Sequence, residues 1–177
     1  EGVTGTTLAD LGVTLPEPPE SQGRLYEIAP GGLGLVNGGS GNDTISGIAD
    51  GRFFGGGGDD LFAIEDGFGA TLDGGAGNDV MTIDEVAALT ILGGAGNDVI
   101  NVSSTSNIQE ESTVDGGDGD DRLNVDVAIT DPARVDAISG GAGADVFALD
   151  LNIVSYVSSF SSDTMLVIDD FAASEDD

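Results

Sequence analysis

The chain has 177 residues, 33 of them Asp or Glu and only four Lys or Arg, for a formal charge of −29, and it contains neither cysteine nor histidine. Such a charge repels nucleic acid and anionic membrane surfaces. Without thiols or imidazoles there is no disulfide framework and no usual zinc, copper or non-haem iron site, so any metal must be held by hard oxygen donors. The same absences, with no lysine and no Gly-x-Ser-x-Gly, leave nothing for a nucleophile and its base, and the chain reads as a non-enzyme.

Residues 1–23 include Pro-Glu-Pro-Pro-Glu-Ser-Gln at Pro16 to Gln22. Prolines favour extended, exposed backbone, and this segment reads as a linker. Residues 24–37 hold RLYEIA and LGLV and predict an N-terminal capping strand. No apolar run reaches the ~20 residues of a membrane span, and no basic stretch precedes an apolar one near the start, so neither a span nor a leader peptide is visible. Residues 38–149 then repeat one pattern six times, and residues 150–177, with DTMLVIDDF from Asp163, predict a C-terminal cap.

The pattern is Gly-Gly-x-Gly-x-Asp followed by x-apolar-x. Its first four residues and its aspartate are Gly38, Gly39, Ser40, Gly41 and Asp43 in the first copy, and Gly55, Gly56, Gly57, Gly58 and Asp60 in the second. In the third they are Gly74, Gly75, Ala76, Gly77 and Asp79, and in the fourth Gly93, Gly94, Ala95, Gly96 and Asp98. The fifth offers Gly116, Gly117, Asp118, Gly119 and Asp121, and the sixth Gly140, Gly141, Ala142, Gly143 and Asp145. First glycines recur at intervals of 17, 19, 19, 23 and 24 residues, the period of a solenoid coil.

Two residues before each first glycine stand Val36, Phe53, Leu72, Ile91, Val114 and Ile138. After each aspartate come Ile45, Phe62, Met81, Ile100, Leu123 and Phe147, then Ile64, Ile83, Val102, Val125 and Leu149, with Gly47 in the first copy. Period-two spacing predicts strands, and columns that repeat once per coil predict two parallel sheets with a narrow core between them, an all-β parallel β-roll. The row Leu61, Val80, Val99 and Val146, broken by Thr44 and Arg122, should face outward, where it could dock an upstream domain of a larger protein. The other half of each coil shares no pattern, so metal chemistry is expected along one edge, and the long insertions Ser103 to Ser112 and Asp126 to Asp136 should bulge from the opposite one.

Calcium takes six to eight oxygens in flexible geometry, more than one such loop offers. Two loops stacked ~4.8 Å apart can share an ion, and six loops enclose about five gaps. Interior aspartates such as Asp79 and Asp98 are expected to face a gap on either side. The segment Gly38 to Leu149 resembles the RTX, or haemolysin-type, calcium-binding β-roll of proteins exported by type I secretion. That resemblance implies that carbonyls of the first four loop residues and the motif aspartate bind calcium, that the module folds on calcium after export, and that it stabilises a secreted or surface protein. Such domains usually carry loops on both edges, whereas here every second loop is replaced. A calcium-dependent adhesive or surface-layer module is the alternative reading; no receptor can be named.

Overall fold

Apolar and small or polar residues alternate on both sides of every motif loop, and each loop is flanked by two strands whose inward side chains meet across a thin core. The computed structural model describes residues 22–29, 33–104, 112–129, 135–153 and 165–169, and all regular structure among them is β. The strands are β1 (Leu25–Ile28), β2 (Leu33–Gly39), β3 (Thr44–Gly57), β4 (Leu61–Phe68), β5 (Thr71–Ala76), β6 (Val80–Ala87) and β7 (Thr90–Ala95). They continue as β8 (Val99–Ser104), β9 (Thr113–Asp118), β10 (Arg122–Ile129), β11 (Val135–Ala142), β12 (Val146–Ile153) and β13 (Met165–Asp169).

All pairings are parallel. One sheet runs β1-β3-β4-β6-β8-β10-β12 and the other β2-β3-β5-β7-β9-β11-β13. The 14-residue β3 belongs to both, bending at Gly47 to Gly51 so that its first half pairs with β4 and its second with β5. This is the β-roll that the apolar columns predict.

The columns align residue for residue. Val36, Phe53, Leu72, Ile91, Val114 and Ile138 stack in one sheet. Ile45, Phe62, Met81, Ile100, Leu123 and Phe147 stack in the other. Phe53, Phe62, Leu72, Met81, Ile91, Ile100 and Leu123 are fully buried. Each coil thus hides only a few side chains, and burial at ~25 cal/mol per Å² has little area to act on within one coil. Cohesion comes from stacking coil on coil. In the outward row, Leu61, Val80 and Arg122 are exposed and Thr44, Val99 and Val146 half-buried.

Three features depart from the sequence reading. Residues 24–37 form two strands, not one: β1 lies on one sheet and β2 on the other, wrapping an outermost coil around the first motif loop, with Tyr26, Ile28 and Val36 against the core. Strand β13 extends the second sheet beyond β11, Ile168 in register with Ile138, so this piece of the expected cap continues the roll. The half of the coil read as patternless also contributes to the core: Ala70 and Leu89 are buried, held by bonds from Thr90 N–H to the Ala70 carbonyl and from Thr113 N–H to the Leu89 carbonyl. The proline-rich segment up to Ser21, residues 30–32, residues 105–111 and 130–134 of the two long insertions, residues 154–164 and the chain beyond Asp169 lie outside the described residues.

Among the described residues, two non-glycine residues on this side of the coil take positive φ, Asp66 at 63° and Ala88, and of the two only aspartate has a short polar side chain suited to that region. Gly69, before Ala70, has φ 70°, and Ala88, before Leu89 in the next coil, has φ 57°. Alanine in the left-handed region costs about 1 kcal/mol because its Cβ crowds the following carbonyl, and glycine does not suffer this. Ala88→Gly is expected to stabilise the folded chain by roughly 0.5–1 kcal/mol, read as a shift in the urea midpoint with unchanged slope.

Candidate metal centre

The motif loops stack along one edge, and two hydrogen-bond ladders of opposite direction hold them in register. In the inner ladder each aspartate reaches back one coil. Asp43 N–H donates to Asp60 Oδ1 at 2.6 Å, Asp60 N–H to Asp79 Oδ1 at 2.7 Å and Asp79 N–H to Asp98 Oδ1 at 2.7 Å. Asp98 N–H donates to Asp121 Oδ1 at 2.7 Å, and Asp121 N–H to Asp145 Oδ1 at 2.8 Å. In the outer ladder the residue before each aspartate reaches forward: Asn42 accepts from Asp59 N–H, Asp59 from Asn78, Asn78 from Asn97, Asn97 from Asp120 and Asp120 from Ala144. The backbone adds a third tie. The N–H groups of Gly58, Gly77, Gly96 and Gly119 donate to the third-position carbonyls of the next coil, those of Ala76, Ala95, Asp118 and Ala142.

The inner ladder leaves one oxygen of each carboxylate over. All six motif aspartates are 0–2 % exposed. Yet Oδ2 of Asp43, Asp60, Asp79, Asp98 and Asp121 is buried without any hydrogen-bond partner. A buried carboxylate oxygen in that condition is costly unless a cation faces it. A second oxygen converges on the same place. A side-chain carbon on Gly55 would collide with both Asp60 Oδ2 and the carbonyl of Gly74, and the same pair of own aspartate and next first glycine closes over Gly38, Gly74, Gly93 and Gly116. Gly140 meets only atoms of Asp145. Each gap between motif loops therefore holds one carboxylate oxygen and one carbonyl aimed at a common point, a donor set that suits a hard divalent ion. Among the described residues no three acidic side chains gather into a metal site.

The two oxygens of each interior carboxylate face opposite neighbours: Oδ1 accepts the preceding coil's N–H, and Oδ2, without a hydrogen-bond partner, lies toward the following coil's first-glycine carbonyl. The outer Asn/Asp ladder is the feature that sequence reasoning missed. Its signal was present: the fifth motif position is Asn or Asp in copies one to five and alanine only in the sixth, at Ala144, after which no further motif loop follows.

Crowding of buried acids shows in their proton affinity. Burial, with neighbouring carboxylates adding, pushes Asp60 up to about 6, Asp98 up to about 7 and Asp121 up to about 6, against the opposing bond each accepts from the preceding coil. Burial raises Asp79 as well.

The family model for the RTX calcium-binding nonapeptide repeat (4 copies) matches residues 35–47, 71–82, 90–106, 112–126 and 134–151. These segments of the roll are RTX calcium-binding repeats. The second loop, Gly55 to Asp60, falls between matched segments but stands in full register with its neighbours. No curated protein and no solved structure matches the chain. RTX repeats bind calcium, and the oxygens left over in each gap of this roll fit that ion.

Two predictions follow from the loop geometry. Gly93→Ala would drive a methyl group into Asp98 Oδ2 and the Gly116 carbonyl, whereas at Gly57 the nearest atoms to an added Cβ stand 3.9 Å away. Gly93→Ala is expected to cost about 1–3 kcal/mol and to weaken calcium uptake, while Gly57→Ala is neutral or stabilises by up to about 1 kcal/mol; calcium titration and urea unfolding of both variants check this. The second concerns acid. Because folded-state values lie above the unfolded value, the metal-free fold binds more protons than the unfolded chain between about pH 4 and pH 7, and its stability is fullest below pH 4 and lost as pH rises through 6 to 7. In chelator and dilute solution, the β-signal should grow on acidification across that window, and Asp98→Asn should flatten the dependence.

Proposed function

We propose that this chain is a non-catalytic folding and stabilising module of an exported protein, unfolded where calcium is scarce and folded by it outside the cell. The observation that carries the reading is the set of five buried carboxylate oxygens, on Asp43, Asp60, Asp79, Asp98 and Asp121, each lacking a hydrogen-bond partner and each facing the next coil's first-glycine carbonyl. The proposed ligands are those oxygens together with carbonyls of the loops Gly38 to Gly41, Gly55 to Gly58, Gly74 to Gly77, Gly93 to Gly96, Gly116 to Gly119 and Gly140 to Gly143, giving one ion per gap and five in all. Asp145 then acts through Oδ1, fixing Asp121 N–H and closing the last gap.

Bound calcium supplies charge neutralisation. The chain's own residues do the rest: glycines at the first loop position leave room for oxygen, the Oδ1 ladder sets each carboxylate's orientation, and the apolar columns hold successive loops in register. With affinities of ~10⁻⁴ M, typical of extracellular calcium modules, ~1 mM calcium contributes about 1.4 kcal/mol per site and ~7 kcal/mol over five sites. That equals the stability of many whole domains. Five divalent ions would also reduce the formal charge from −29 to about −19. In this reading residues 1–23 tether the roll, 24–37 and 150–177 close its ends, and the outward row from Leu61 to Val146 is available to an upstream domain.

Circular dichroism decides the reading. Near neutral pH the chain in excess chelator should lack the β-signal that calcium restores, and magnesium at equal concentration should not replace calcium. An identical spectrum with chelator and with calcium would overturn calcium-driven folding.

A further inference from the structure

The column of motif aspartates continues one coil beyond the first motif, and the residue there is an arginine. Arg24 N–H donates to Asp43 Oδ1 at 2.5 Å just as Asp43 N–H donates to Asp60 Oδ1. Thr44 N–H donates to the Arg24 carbonyl as Leu61 N–H donates to that of Asp43. By backbone position, Arg24 is the aspartate of the outermost coil. Its half-buried side chain places Nη1 3.4 Å from the Tyr26 hydroxyl. Tyr26 occupies the inward slot aligned with Ile45, its ring against the core, and its hydroxyl donates to the carbonyls of Asn37 at 3.1 Å and Gly38 at 3.4 Å. Gly38 is the first glycine of its loop. Its carbonyl is the counterpart of those of Gly55, Gly74, Gly93, Gly116 and Gly140, which converge on an aspartate Oδ2.

We propose that Arg24 and Tyr26 form a built-in cation site: at this end of the ladder the chain's own guanidinium, acting through the phenol, takes the place that an ion holds in every later gap. The inference rests on the reading of those gaps as calcium sites. Arginine suits the role because it stays charged at every relevant pH and orders donors in a fixed plane. Tyrosine suits it because its ring packs on apolar neighbours while its hydroxyl satisfies carbonyls. The end coil is thereby closed without metal, and the row of ions begins in the gap between Asp43 and Gly55.

Calcium titrations of the full chain and of Arg24→Lys, Arg24→Met and Tyr26→Phe, followed by circular dichroism and calorimetry, test this. Arg24→Met, which keeps the apolar stem and removes the charge, should raise the calcium midpoint about three- to tenfold without changing the number of ions, while Arg24→Lys stays within about twofold of the unaltered chain. A midpoint for Arg24→Met equal to that of the unaltered chain, or equal damage from the lysine and methionine variants, would overturn the built-in cation. Should Arg24→Met fail to fold at any calcium concentration, Tyr26→Phe decides: a raised midpoint supports the relay and an unchanged one refutes it. An unaltered chain that ignores calcium would overturn the functional reading and this inference together.

Discussion

Everything in this molecule answers to one constraint, the stacking of buried carboxylates one per coil. Parallel strands put successive coils ~4.8 Å apart. At an effective dielectric of 20, two unit charges at that separation repel by about 3.5 kcal/mol, so every coil added to a fully ionised column opposes assembly. The raised proton affinity of Asp60, Asp98 and Asp121 is the mark of that repulsion and of burial together. The requirement for glycine at the first loop position has the same origin: a side chain there would occupy the space in which the opposing oxygens converge.

The division of labour within a coil follows. The motif edge is built to a fixed pattern because its three ladders tie each loop to the next at 2.6–3.1 Å and tolerate no insertion. Among the described residues the opposite edge carries no buried carboxylate, and there the coil lengthens from 17 to 24 residues between first glycines without disturbing the register of the flanking strands. A roll of this kind can change what it displays on one edge while keeping its ion chemistry on the other.

The parts legible in the sequence were those in which every coil repeats the same side chain for the same reason. Val36, Phe53, Leu72, Ile91, Val114 and Ile138 differ in shape but share one requirement, burial against the facing sheet, and hydropathy alone finds them. The motif aspartates were legible because oxygen is the only donor that the chain possesses. Ala70 and Leu89 were not: both are buried, yet the aligned turn positions carry Gly51 and Ser112, so no apolar period marks the column. The split of each carboxylate into a bonded Oδ1 and an unpartnered Oδ2 depends on side-chain orientation, which spacing does not encode. Arg24 escaped notice because it keeps the backbone role of an aspartate while inverting its charge.

A solenoid of identical coils has no natural length, since its last loop offers the next the same contacts it received from the one before. Here the outer ladder supplies a boundary. Asn42, Asp59, Asn78, Asn97 and Asp120 each present an oxygen to the following loop, whereas Ala144 presents a methyl group. A further loop stacked there would meet no side-chain acceptor, and its amide hydrogen would be left to water, since this ladder is exposed. The two sides of the roll therefore end differently: the column of side-chain acceptors stops at the sixth loop, while the second sheet runs on one strand further through β13.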